Sequence, residues 1–66
     1  MKWRAFKQGI DILDKYVIID NYCVHAEHDQ IWVGVEMGTL TPVDRDALLA
    51  LGWFYEPLSE SWTCFT

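Results

Sequence analysis

Between Thr41 and Gly52 the chain carries both punctuation marks of a helix, and strand-like segments flank it on either side. The Thr41 hydroxyl is suited to accept from the amides of a first turn. Pro42 fits the first helical position, where a backbone N–H has no partner to lose. Asp44 and Asp46 lie near the positive end of the helix dipole. Leu48, Leu49 and Leu51 supply the apolar side, and Gly52 is the residue that takes the left-handed turn at the end. A helix pinned between strand patterns points to an α+β chain.

The strand patterns are set by alternation. Residues 30 to 36 place Ile31, Val33 and Val35 on one face and Trp32, Gly34 and Glu36 on the other. That is a half-buried strand, expected to pair back on residues 22 to 26 as a hairpin, with Glu27-His28-Asp29 as the polar connection. After the helix, residues 53 to 56 read as a strand, Pro57 to Ser61 as a turn, and Trp62 to Phe65 as the last strand. At the other end, Trp3, Phe6, Ile10, Leu13 and Val17 recur at helical spacing and predict a helix over residues 3 to 16. Gly9 weakens that helix by about 1 kcal/mol relative to Ala, and Lys7 and Asp11 are spaced to pair along it. Val17 to Ile19 continue as an extended segment and Asp20-Asn21 reads as a turn. The expected order is α-β-β-α-β-β: a small antiparallel sheet with two helices on one face, in a single compact domain over residues 1–66.

A chain of 66 residues has a thin core, because it buries only about 60% of the surface it exposes when unfolded. Dense apolar composition offsets this: 52% of residues are hydrophobic, with four Trp, three Tyr and three Phe. The same aromatics exclude a disordered acidic tail. Cys23 and Cys64 are too few for a disulfide-built secreted domain and read as reduced, buried thiols, bridged only if their strands are neighbours. No apolar segment follows the N-terminal bases, and none approaches the roughly 20 residues of a membrane span. The expected location is the cytoplasm of a bacterial host cell.

Catalytic and metal chemistry find little support. His25 and His28, with Glu27, Asp29 and Glu36 nearby, are suitable ligand types. Residues three apart in a strand and turn do not share a face, however, and no closely spaced cysteine pair supports a site. Cys23 and His25 share a strand face, but a nucleophile needs a base in reach, an orienting group and a pocket. The expectation is no enzyme activity, no catalytic residue, no metal and no cofactor.

The aromatics divide by alternation. Trp53 and Tyr55 point one way and Phe54 the other; Trp62 and Cys64 separate from Phe65 in the same manner. One set fills the core and the other lies on the far face of the sheet. Stacking platforms for single-stranded nucleic acid are ringed by bases, whereas Glu56 and Glu60 flank this one. Core plus a protein interface is the expected use.

Charge is distributed unevenly. The first fifteen residues hold four bases against two acids, and the remainder holds eight acids against Arg45 alone. Such a body repels nucleic acid and membranes and is attracted to basic clefts. Solubility is the ordinary role of scattered carboxylates. The sharper role is mimicry of a nucleic-acid backbone, which presents one charge per about 1.7 Å of duplex axis. The positions available for partner binding are Asp20, Glu27, Asp29, Glu36, Asp44, Asp46, Glu56 and Glu60.

Four stretches resemble a pattern common in short phage and prophage proteins. They are His28-Asp29-Gln30-Ile31-Trp32-Val33, Thr41-Pro42-Val43-Asp44, Leu48-Leu49-Ala50-Leu51-Gly52-Trp53 and Glu60-Ser61-Trp62. Residues 1 to 27 lie outside the pattern. With its size and acidity, the chain resembles the anti-CRISPR proteins, in particular small acidic inhibitors of type I systems. The resemblance implies a non-enzymatic inhibitor that binds the DNA-recognition subunit of a Cascade-type complex and blocks target DNA. It transfers no functional residue. The alternative is a phage structural or assembly protein, or a homo-oligomerising interaction protein, joined through the exposed aromatic sheet face; the inhibitor itself is expected to be a monomer or weak homodimer.

Overall fold

The computed structural model describes residues 1–18 and 23–66. The elements are α1 (Trp3–Asp14), β1 (Val24–Glu27), β2 (Gln30–Val33), a short 3-10 turn (Met37–Thr39), α2 (Pro42–Ala50), β3 (Phe54–Glu56) and β4 (Ser61–Phe65). The strands form one antiparallel sheet in the order β1-β2-β4-β3. This is the expected α+β class and order, with the 3-10 turn added. The expected turn at Asp20-Asn21 lies outside the described residues, as does Tyr22 at the start of the expected first strand.

Local chemistry places α2 as its sequence predicts. Thr41 caps it, its Oγ1 accepting from the Asp44 N–H at 3.2 Å. Gly52 closes it at φ 98°, with the Trp53 N–H returning to the Leu48 carbonyl and the Gly52 N–H to the Leu49 carbonyl. Those paired return bonds satisfy carbonyls that a helix end leaves open. They also aim Trp53 straight into the core.

The core lies between the helices and one sheet face. Leu13 of α1 and Leu48 of α2 pack with Val33, Val35, Leu40, Trp53, Trp62 and Cys64. Alternation sorts the strands as expected: Trp62 and Cys64 are fully buried, while Phe54 and Phe65 are exposed. Gly9 is the contact point for Trp53. A Cβ built on Gly9 would lie 2.0 Å from Trp53 Nε1. The glycine that weakens α1 as an isolated helix is therefore what lets the indole lie against it.

Some expectations are corrected. Trp3 is not a core residue: it is 69% exposed and leans on Phe6 at 6.0 Å between ring centroids. Phe6 in turn stacks on Trp53 at 5.9 Å, so the apolar stripe leaves the core at its N-terminal end. Helix α1 stops at Asp14 rather than 16, and β2 stops at Val33 rather than 36. Val35 is nonetheless buried, carried into the core by the segment after β2. Glu27 belongs to β1 rather than to the connection, which is therefore the two-residue turn His28-Asp29. Cys23 is half-buried rather than buried, and no disulfide joins it to Cys64. Burial raises the Cys64 thiol pKa.

Candidate functional site

Both helices cover the same sheet face, which leaves the other face open. The register assigns its occupants. His25 of β1, Trp32 of β2, Thr63 of β4 and Phe54 of β3 form one row straight across the four strands. Glu27, Gln30 and Phe65 form the row beside it on the first three strands in spatial order. Glu56 and Ser61 complete the face at the opposite end.

Side-chain contacts knit these rows together. His25 and Trp32 lie 5.2 Å apart between ring centroids, and Phe54 stacks on Phe65 at 5.8 Å with planes inclined by 27°. Trp32 Nε1 donates to Glu56 Oε1 at 3.3 Å. Gln30 Nε2 donates to Thr63 Oγ1 at 2.9 Å, and that hydroxyl donates to the Ile31 carbonyl at 2.8 Å. Thr63 is fully buried although it lies on the helix-free side, because its neighbours roof it over. The face is thus a fixed platform of aromatic rings with a satisfied polar centre. Among the described residues its charged groups are Glu27 and Glu56. All five lysines and arginines lie on the helices or their flanks, and none is on this face.

The eight acidic positions are not gathered into one array. Asp20 lies outside the described residues. Glu27 and Asp29 are at the β1–β2 turn, whereas Glu56 and Glu60 are at the opposite end of the sheet, where β2 also delivers the segment carrying Glu36. Glu60 has a φ of 51°, the left-handed region that favours glycine. Asp46 is exposed on α2, its Oδ1 3.7 Å from Arg45 Nε.

Asp44 is held inside the molecule's own framework. Its side chain is only 17% exposed and accepts from Lys15 Nζ at 2.8 Å and from the Tyr16 hydroxyl. The Lys15 bond, followed by the Tyr16 bond, holds its carboxyl below the usual value, and the same partner raises Lys15. Tyr16 Oη also accepts from the Thr41 N–H at 3.4 Å. Asp44 therefore latches the end of α1 to the start of α2.

Among the histidines, His25 Nε2 lies 3.5 Å from Glu27 Oε2 and His28 Nε2 lies 3.7 Å from Glu27 Oε1. Among the described residues no group of three or more His, Cys, Asp or Glu side chains is placed to hold a metal ion. No helix among the described residues is long and apolar enough to cross a membrane.

Compared with known proteins, the chain matches no family model, no curated protein and no solved structure. Function is therefore argued from the site itself.

Alternation in the sequence already separates Trp32, Phe54 and Phe65 from the core-facing set, and His25 is weighed only for metal or catalytic chemistry; the site positions named are carboxylates, and Gln30 and Thr63 are not singled out. The signal for the aromatics was present. Period two from the half-buried Ile31 and the buried Trp62 puts Trp32 and Phe65 on the opposite side. The Gln30–Thr63 bond had no such signal, because it depends on strand order.

Proposed function

We propose that the chain is a non-enzymatic binding module that docks its helix-free sheet face on a basic surface of a nucleic-acid-handling protein. The supporting observation is the composition of that face: aromatic rings around a buried polar centre, Glu27 and Glu56 at its margins, and no lysine or arginine. Ordered rings lose little entropy on binding and attract lysine and arginine side chains through their faces. The two carboxylates add charge pairing, and the net charge of −5 steers the encounter. The resemblance to acidic type I anti-CRISPR proteins narrows the partner to the DNA-recognition subunit of a Cascade-type complex, with occlusion of target DNA as the outcome. Because the acidic positions are spread over both ends of the sheet and α2, this reading rests on an aromatic-acidic platform rather than on a phosphate-like row of charge.

The test is capture by tagged protein from a CRISPR-bearing bacterial lysate at low and high salt, followed by target-DNA binding with the recovered complex. Wild type should retain a nucleic-acid-handling complex at low salt, release it at high salt and compete with its DNA. Trp32→Ala and Glu56→Lys, each checked for folding by circular dichroism, should lose capture. If both variants capture as well as wild type, the face is not the binding surface. If only salt-resistant copies of the chain itself are recovered, the assembly reading replaces this one.

A further inference from the structure

The two edges of the sheet are unlike. Strand β3 is three residues long and runs into Pro57, which cannot donate to a further strand. Strand β1 is the other edge, and all four of its residues, Val24-His25-Ala26-Glu27, are exposed. It holds no proline or lysine, the usual guards against edge pairing.

The hydrogen-bond phase of the hairpin fixes what this edge presents. The Gly34 N–H donates to the Cys23 carbonyl at 2.7 Å. With the register Val24↔Val33 and His25↔Trp32, the pairs bonded toward β2 are Cys23/Gly34, His25/Trp32 and Glu27/Gln30. The N–H and C=O groups of Val24 and Ala26 therefore point outward. Among the described residues no strand lies beyond them.

We infer that β1 pairs antiparallel with β1 of a second copy of this chain, making a continuous eight-stranded sheet across a two-fold axis. Only residues with outward backbone groups can bond across the new seam, so an Ala26–Ala26 pair at the two-fold axis supplies its bonds. Side-chain hydrogen bonding selects the register. Setting Ala26 opposite the partner's Ala26 places each His25 directly opposite the partner's Glu27, twice by symmetry. Shifting by one pair instead sets His25 against the partner's His25. Cross-strand neighbours of this non-bonded type bring their Cβ atoms to about 4.5–5.5 Å, within reach of a His–Glu hydrogen bond. In the isolated chain Glu27 already lies 3.5 Å from His25 and 3.7 Å from His28, so the carboxylate is poised at this edge. The pairing also sets the helix-free faces of both copies side by side on one surface. It does not depend on what that face binds.

The test is sedimentation velocity on the purified chain across a wide concentration range. Wild type should pass from monomer to dimer. Ala26→Pro should remain monomeric with an unchanged circular dichroism spectrum, because the lost N–H faces away from β2. Glu27→Lys, an exposed substitution, should weaken the dimer about tenfold, and adding His25→Glu to it should restore association by reversing both pairs. A monomer at every concentration would overturn the inference. So would a dimer indifferent to both Ala26→Pro and Glu27→Lys, which would place the contact on another surface. Partner capture by the monomeric Ala26→Pro variant reads out the sheet-face proposal separately.

Discussion

Gly9 and Trp53 meet so closely that the indole occupies the space where a Cβ on residue 9 would be, 2.0 Å from Nε1. The indole nitrogen is buried there with no hydrogen-bond partner among the described residues, and Trp53 is held by shape and apolar contact. Two effects oppose each other in Gly9→Ala. Helix propensity favours alanine by about 1 kcal/mol, and overpacking of a filled core opposes it by about 1–3 kcal/mol. The collision is with the body of a buried, stacked ring, so the upper end applies. Thermal denaturation of Gly9→Ala should show a net loss of about 2 kcal/mol, or roughly 10 °C in Tm. Trp53→Leu should remove most of the alanine penalty in a double-mutant cycle. A Gly9→Ala variant more stable than wild type would show that the helix and the ring are not in contact.

The latch at Asp44 gives stability a specific pH dependence. Its carboxyl titrates below the usual 3.8 because the Lys15 ammonium and then the Tyr16 hydroxyl bond to the charged form. A depressed folded-state pKa means the contribution is complete above the unfolded value and is lost as pH falls through the folded one. Asp44→Ala should therefore lower Tm at pH 7, and the gap to wild type should shrink as pH drops below about 4. Lys15 is raised above 10.5 by the same bond, so its share should persist at neutral pH and fade only in strong alkali. A gap between wild type and Asp44→Ala that stays constant from pH 7 to pH 2 would count against the latch.

These two residues also mark how far a sequence reading reaches. Thr41, Pro42 and Gly52 act within a few residues of themselves, so the cap, start and stop of α2 were legible. Period two correctly divided Trp62 from Phe65 and Trp53 from Phe54. Gly9, by contrast, reads locally as a weak point in a helix, because its partner Trp53 lies in the other half of the chain. Asp44 reads as a surface charge, because the Lys15 and Tyr16 that neutralise it are brought by α1. Trp3 fits the helical stripe, but whether a stripe stays covered along its whole length depends on where the sheet ends. Strand order, which set the candidate face, was not legible either: hydrophobic periodicity fixes sides, not neighbours.

Glu60 adopts φ 51° at the last position of the β3–β4 turn, following the Glu60 N–H to Pro57 carbonyl bond at 3.2 Å. An L-residue pays for this region with about 1–2 kcal/mol, and glycine avoids that while losing more chain entropy on folding. The balance favours glycine by about 0.5–1 kcal/mol, a rise in Tm of roughly 4 °C for Glu60→Gly. Glu60→Ala, which keeps the strain and removes only the charge, should leave Tm nearly unchanged. If both variants shift alike, the effect is electrostatic and the backbone argument fails.

The platform on the helix-free face is preformed only if its rings hold one another in place. Phe54 and Phe65 are diagonal neighbours on adjacent strands, stacked at 5.8 Å between centroids while both remain exposed. Such pairs couple by about 0.5–1.5 kcal/mol beyond the area they bury. A cycle of Phe54→Ala, Phe65→Ala and the double variant, followed by urea unfolding, should return about 0.5 kcal/mol or more of coupling. Each single variant should cost less than a core truncation such as Leu48→Ala, which removes a fully buried side chain and should cost about 2–5 kcal/mol. The contrast separates the two sides of the sheet: substitutions beneath the helices should act mainly on stability, whereas those at Phe54, Phe65 and Trp32 should act mainly on binding. Coupling indistinguishable from zero would mean that the rings move independently and that the face is assembled only when a partner covers it.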